Sequence, residues 1–152
     1  MIARKTYSVK PAEIDRKWYL IDASSTNLGQ VATSAANLLS GKGKPQFSRH
    51  IDCGDFVVVI SAASLKVSGK KLTDKHYYKH SGYPGGLRTR TLAEQLQLDP
   101  TQVIEHAVRG MLPDNKLRQG RLSRLKVYPS EDHPHVAQKP EMLNITKRKV
   151  NK

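Results

Sequence analysis

Phe56-Val57-Val58-Val59-Ile60 is an uninterrupted apolar run of the kind that forms a strand buried on both faces of a sheet. An earlier run, Trp18-Tyr19-Leu20-Ile21, has the aromatic and branched residues that suit a second packed strand. Between the two runs, apolar residues at helical spacing predict a helix that begins after the capping residues 24–27 and ends at Gly41. Strand, helix and buried strand predict a right-handed βαβ unit, and therefore an α/β fold with a partly parallel sheet.

The middle of the chain is expected to be less regular. Two short extended runs, residues 65–68 and 75–78, are separated by Gly69-Lys70-Lys71, and this pattern predicts a β-hairpin. The glycines and the proline of residues 82–86 then predict an irregular loop.

The second half of the chain contains signals for two helices and one more strand. Thr91 and Glu94 have the spacing of a capping box, and Asp99 before Pro100 marks a second helix start. Leu125-Lys126-Val127-Tyr128 predicts a final strand. We therefore expect one α/β domain over residues 1–128, with an N-terminal extension over residues 1–16. An extended C-terminal tail, residues 129–152, should wrap around the domain or stay mobile.

Length and composition exclude several classes of protein. A chain of 152 residues is expected to form a single domain, and no apolar run approaches the roughly 18 residues that a membrane span needs. The first ten residues lack the apolar stretch of a secretory signal. Cys53 is the only cysteine, which excludes an internal disulfide and a cysteine-rich zinc module.

Charge gives the strongest functional signal. The formal net charge is +13, and residues 61–90 alone carry seven lysines and arginines against one acid. Such a density repels itself unless an anion neutralises it, and a nucleic acid does so by releasing condensed counterions. A solubilising surface is the alternative. An anionic membrane is disfavoured because the basic segments carry no broad apolar face.

No motif predicts catalysis, a cofactor or a metal. The turn after the first predicted strand contains one glycine, whereas a dinucleotide-binding turn needs three. His76 and His80, and likewise His133 and His135, have no accompanying carboxylate motif. We therefore expect no enzyme, no cofactor, no metal and no small-molecule substrate.

Three clusters of basic and aromatic residues are the candidate contacts to RNA or DNA, because cations bind phosphate and flat rings stack on unpaired bases. In the first cluster, one of Tyr77 and Tyr78 should face the core, since side chains alternate along a strand. In the second cluster, Arg118, Arg121 and Arg124 are spaced by three and should share one side of a helical turn. The clusters comprise Lys70, Lys71, Lys75, His76, Tyr78, Lys79, His80, Arg88 and Arg90; then Lys116, Arg118, Arg121, Arg124 and Lys126; then Lys42, Lys44, Arg49 and His50.

Several stretches together resemble a known family over residues 18–141. They are Trp18-Tyr-Leu-Ile-Asp-Ala23, Leu28-Gly29, His50-Ile-Asp-Cys-Gly-Asp55, Thr73-Asp-Lys-His-Tyr-Tyr78, His80-Ser-Gly-Tyr-Pro-Gly-Gly86, Val108-Arg-Gly-Met-Leu-Pro113, Leu125-Lys-Val-Tyr128, His133-Pro-His135 and Ala137-Gln138. In these stretches the chain resembles the bacterial L-thirteen family of large-subunit ribosomal proteins.

The resemblance implies a three-layer α/β/α sandwich with basic loops. It also implies a non-enzymatic structural constituent of the large ribosomal subunit that binds folded large-subunit rRNA early in assembly and touches neighbouring ribosomal proteins. The expected location is the cytoplasm, with an organellar ribosome as the alternative. A free RNA- or DNA-binding regulatory or architectural protein and a small Rossmann-like enzyme stay open as other classes. Residues 147–152 extend beyond the usual end of the family.

Overall fold

A computed structural model describes residues 9–145 of the chain, and in this range the central element is a four-stranded sheet. Its strands lie in the order β5 (Leu125–Val127), β2 (Phe56–Ile60), β1 (Trp18–Asp22) and β6 (Glu141–Met142), and each neighbouring pair is parallel. Two further strands, β3 (His76–His80) and β4 (Leu87–Thr91), form an antiparallel hairpin. The helices are α1 (Leu28–Ser40), α2 (Lys71–Asp74), α3 (Leu92–Leu98), α4 (Pro100–Met111) and α5 (Leu117–Ser123). The predicted α/β class with a partly parallel sheet is confirmed.

One face of the sheet packs against the helices. Ile21 lies opposite Val59 in the β1–β2 register, and Val57 lies on the same face because side chains alternate along a strand. All three side chains are fully buried in one apolar cluster with α1 and α4. Burial of each such side chain stabilises the fold by about 1.5–3 kcal/mol.

Gly41 ends α1 and turns the chain back toward β2. Its φ of 75° lies in the left-handed region, and its N–H donates to the carbonyl of Leu38 at 3.0 Å. A Cβ at this position would lie 2.7 Å from the carbonyl oxygen of Cys53, so only glycine fits. This close approach fixes the path of the loop that leads into β2.

The opposite face of the sheet is covered by the segment that follows β5. The rings of Trp18 and Phe56 stack with centroids 4.4 Å apart, and the His135 ring lies 5.1 Å from Trp18. Further on, β6 pairs with β1, and Leu143 packs against the core. Within this segment, His135 and residues 141–143 contact the sheet or its core. The basic residues 147–152 lie outside the described residues.

The predicted hairpin between residues 65–68 and 75–78 is wrong. Lys66 instead forms a parallel bridge with Asn27 at the start of α1. The partner of β3 is β4, and the glycine-rich loop of residues 82–86 is their connection. Gly82 and Gly85 have φ values of 90° and 72°, which lets the chain reverse there at no steric cost.

Both predicted helix starts are confirmed. The Thr91 side chain accepts from the N–H of Glu94 at 3.3 Å, and the Glu94 carboxylate accepts from the N–H of Thr91 at 3.1 Å, which is a complete capping box. Asp99 accepts from the N–H of Thr101 at 3.0 Å and so begins α4. The predicted strand at residues 125–128 is confirmed as β5, but β6 was not predicted.

Candidate nucleic-acid interface

The β3–β4 hairpin is held at its base by the core. Its second strand runs directly into α3, whose first residue, Leu92, is fully buried and donates its N–H to the carbonyl of Lys75 at 2.8 Å. The Tyr77 ring meets the His106 ring of α4 edge-on, with centroids 5.8 Å apart. The remainder of the hairpin therefore projects from a fixed base.

One face of the hairpin, here called the outer face, carries His76, Tyr78 and His80. Tyr78 is 69% exposed, and its ring stacks on that of His76 with centroids 6.4 Å apart. Of the two adjacent tyrosines, Tyr77 is the one that packs against the core. The outer face thus presents flat rings to solvent, in the arrangement that stacks on unpaired bases.

The other face, here called the inner face, carries Tyr77, Lys79, Arg88 and Arg90. Lys79 lies directly opposite Arg88, and like charges in that position destabilise a strand pair by about 0.2–1 kcal/mol. Among residues 9–145, none of the ion pairs includes Lys79, Arg88 or Arg90. An external anion would remove this repulsion.

The lysines before the hairpin extend the positive surface. Lys70 and Lys71 are exposed at the start of α2, where the Lys71 ammonium donates to the Ser68 hydroxyl at 3.3 Å. The Lys75 ammonium lies 5.2 Å from the centroid of the Tyr77 ring, in a cation–π contact. These three lysines lie next to the hairpin in sequence, and none of the ion pairs within residues 9–145 includes them.

The prediction that Arg121 and Arg124 form an exposed phosphate-binding side is corrected by the structure. The Arg121 side chain is 2% exposed, and its Nε lies 3.5 Å from the Asp52 carboxylate. Arg124 is also buried and makes two short bonds to Asp52, of 2.5 and 2.7 Å. The two arginines do share a side, as their spacing indicates, but that side faces a carboxylate from the loop before β2.

The environment of Asp52 keeps it ionised. Burial by itself raises the pKa of this carboxyl, but hydrogen bonds and positive charge from Arg124, with a further contribution from Arg121, hold the pKa below its usual value. The buried charges are therefore paired with one another, and the cluster stabilises the junction between α5, β5 and the loop before β2.

Arg118 and Lys44 also interact within the chain. Arg118 pairs with Asp114 at 2.8 Å and donates to the carbonyls of Leu112 and Pro113 beyond the end of α4. Lys44 pairs with the buried Asp55 at 2.6 Å. The remaining members of these two clusters are exposed, namely Lys42, Arg49, His50, Lys116 and Lys126.

Two groups of residues were missed by the sequence reasoning. Asp52 is the partner of Arg121 and Arg124, but it lies about 70 positions earlier in the sequence, so no local spacing indicates the pairing. Gln102 and His106 on α4 lie across a groove from the inner face of the hairpin. Their i, i+4 spacing places both on one side of a helix, which is the signal that could have found them.

Residues 9–145 offer neither a metal-binding cluster nor a membrane-spanning helix. That range contains no group of three or more histidine, cysteine or acidic side chains able to hold a metal ion. None of its helices combines the length and apolar character needed to cross a bilayer.

Comparison of the sequence with known proteins identifies one family. The family model described as Ribosomal protein L13 matches residues 16–134. A protein of Syntrophomonas wolfei named large ribosomal subunit protein uL13 is 53% identical over 141 residues, covering 93% of this chain and 98% of the relative. Proteins of the same name from Symbiobacterium thermophilum and Aquifex aeolicus are 48% and 50% identical, each covering 93% of this chain and 99% and 98% of the relative, respectively. The chain belongs to the ribosomal protein L13 family.

Proposed function

We propose that the chain is a non-enzymatic structural protein of the large ribosomal subunit that binds folded large-subunit rRNA. The names of its relatives supply the subunit. The observation that carries RNA binding is the β3–β4 hairpin, where exposed cations face one another without acidic partners while rings are exposed on the other face. The repulsion between these cations destabilises the hairpin slightly in the free chain, and a bound phosphate would remove it.

The proposed contact surface consists of the exposed candidates together with the half-buried Lys75. Arg121, Arg124, Lys44 and Arg118 are assigned to the fold, because each is paired inside the chain. The proposed RNA contacts are Lys42, Arg49, His50, Lys70, Lys71, Lys75, His76, Tyr78, Lys79, His80, Arg88, Arg90, Lys116 and Lys126.

Positive groups on several sides of one rigid core support an early role in assembly. A body of this kind can neutralise several phosphate strands at once and so stabilise their approach. Contacts with neighbouring ribosomal proteins and a cytoplasmic ribosome as the location belong to the same proposal.

Salt dependence of rRNA binding tests the mechanism. The logarithm of the binding constant should fall with the logarithm of salt concentration by about 0.7–0.9 for each neutralised phosphate, which gives a steep negative slope for a surface of this size. Filter binding of the full chain to its own large-subunit rRNA measures the slope, with duplex DNA of equal length as the comparison. A slope near zero would reject charge neutralisation, and equal affinity for the DNA would reject specific binding to folded rRNA.

A triple substitution locates the charge. Replacing Lys70, Lys71 and Lys75 together by alanine should weaken rRNA binding and make the salt slope shallower by about 2–3, because three phosphate contacts are lost. The melting temperature should change little, since these side chains lie outside the core. Equal losses of binding and of thermal stability would assign the three lysines to the fold instead.

A further inference from the structure

A groove separates the inner face of the hairpin from helix α4. Its volume is about 920 Å³, within the range of sites that bind small ligands. One wall carries Lys79, Arg88 and Arg90, and the other carries Gln102 and His106. Tyr77 lies between the two walls, with its ring against His106. The groove is therefore lined by lysine and arginine on one side and by the hydrogen-bonding side chains of α4 on the other.

This division of chemistry resembles the division within a nucleotide, whose phosphate is charged and whose base edge offers neutral donors and acceptors. An arginine binds phosphate with two parallel N–H groups, and a glutamine amide can both donate to and accept from a base edge. Gln102 already accepts a bond of 3.3 Å from the buried Gln95, which orients its amide. The helix wall is thus a prearranged polar surface.

The size of the groove also favours one nucleotide over a helix. A double-stranded RNA is recognised across an open surface through its shallow minor groove and phosphates, whereas an unpaired nucleotide can turn out of the strand into a small site. The outer face of the hairpin, with Tyr78 exposed, can stack on a neighbouring base of the same strand.

We propose that the groove between the β3–β4 hairpin and α4 holds one unpaired nucleotide of the bound RNA, with its phosphate on Arg88, Arg90 and Lys79 and its base edge on Gln102 and His106. This inference rests on the proposed function and goes further, since it names the part of the RNA and the side chains that recognise it. It also predicts that affinity depends on the uncharged Gln102 of α4 as well as on the cations of the hairpin.

Two pairs of variants test the groove by filter binding of the full chain to its large-subunit rRNA. Arg90→Ala should lose about tenfold in affinity, as expected for a hydrogen bond to a charged group. Gln102→Ala should lose about threefold to tenfold with an unchanged salt slope, because a neutral bond is removed. The matched controls are Arg109→Ala and Gln97→Ala, both exposed on the helices but outside the groove lining, and they should stay within about twofold of the parent chain.

Ultraviolet cross-linking of the parent complex gives an independent readout. Mass spectrometry should find a nucleotide attached to a peptide of residues 100–111 as well as to one from the hairpin. If Gln102→Ala binds like Gln97→Ala and no cross-link reaches α4, the nucleotide site is rejected. The site would also be rejected if an acidic peptide from a ribosomal protein displaced the RNA from Arg90 and no nucleotide were cross-linked to α4.

The two proposals fail in different ways. If the parent chain itself shows no salt-dependent binding to rRNA, rRNA binding and the groove proposal are rejected together. If the parent binds with a steep salt slope and the groove variants match their controls, only the nucleotide site is rejected. Melting curves of Arg90→Ala, Arg109→Ala and Gln97→Ala should agree with that of the parent, because the substituted side chains are exposed. Gln102→Ala removes the acceptor of the buried Gln95 amide, so its binding is measured at a temperature below the start of its own melting curve.

Discussion

Two regions of this protein are rich in arginine and use it in opposite ways. At the end of α5, Arg121 and Arg124 are buried against Asp52, so their charge is neutralised within the fold. On the hairpin, Arg88 is exposed opposite Lys79, and residues 9–145 give it no ion-pair partner. The same residue type therefore stabilises the fold in one place and remains available for an external anion in the other. What separates them is a single carboxylate from a distant part of the chain.

Removal of that carboxylate should have the largest effect. Asp52→Ala leaves two buried guanidinium groups without their partner and should cost about 3–5 kcal/mol of unfolding free energy. Urea unfolding measures the loss. Asp114→Ala is the matched control, because its carboxylate is 89% exposed and pairs with Arg118 at the surface, where such pairs contribute only about 0.3–0.5 kcal/mol. Equal losses in the two variants would remove the distinction between the regions.

Acid should reproduce part of that loss. The folded pKa of Asp52 is below its unfolded value, so the cluster contributes stability that is present above the unfolded pKa, about 4, and is lost as pH falls through the folded pKa. Unfolding free energy measured between pH 6 and pH 2 should therefore decline in the acid range.

Asp52→Asn supplies the comparison for the acid effect, since it cannot ionise and keeps the shape. Asp22 and Asp99 also have lowered pKa values. At Asp22 hydrogen bonds outweigh the effect of burial, and at Asp99 hydrogen bonds are the largest cause. The Asp52→Asn variant should therefore retain part of the acid dependence of stability. An acid decline that is identical in parent and variant would show that Asp52 is not a source of it.

The smallest effect should have the opposite sign. Arg88→Thr removes the like-charge pair with Lys79 and introduces a residue that favours strands, so it should raise unfolding free energy by about 0.2–1 kcal/mol. The same variant should bind rRNA more weakly than the parent. Arg109→Thr on α4 is the control for loss of one exposed arginine. If Arg88→Thr lowers the unfolding free energy by more than Arg109→Thr does, Arg88 stabilises the hairpin and the prediction is wrong.

The predictable parts of the fold were those encoded by near neighbours in the sequence. The strands β1 and β2, helix α1 and both caps follow from local spacing, because each depends on residues within one or two turns. The hairpin was predicted with the wrong partner because residues 65–68 and 87–91 are both short and extended. The partner of β3 is decided by Lys66, which bridges to Asn27 at the start of α1 and is therefore not free to pair with β3. That contact joins residues far apart in the sequence. The two-residue strand β6 is too short for any periodicity.

The sequence predicted the positive charge of the candidate site, but only some of the residues that form it. Residue counts alone locate the excess charge in residues 61–90, and strand alternation alone requires one of Tyr77 and Tyr78 to face inward. Which tyrosine does so, and which arginines stay exposed, depends on packing against α4 and on Asp52.

By itself, the amino-acid order of this protein determined the α/β class, both ends of α1, the starts of α3 and α4, the strongly positive middle segment and the family, because these depend on residue type and short spacing. Only the tertiary structure decided which cations are neutralised inside the chain, that the hairpin separates rings from charges, and that α4 supplies the second wall of the groove. The physical reason is that neutralisation of a charge requires a partner within a few ångströms, and residues 72 positions apart, such as Asp52 and Arg124, reach that distance only when the chain is folded.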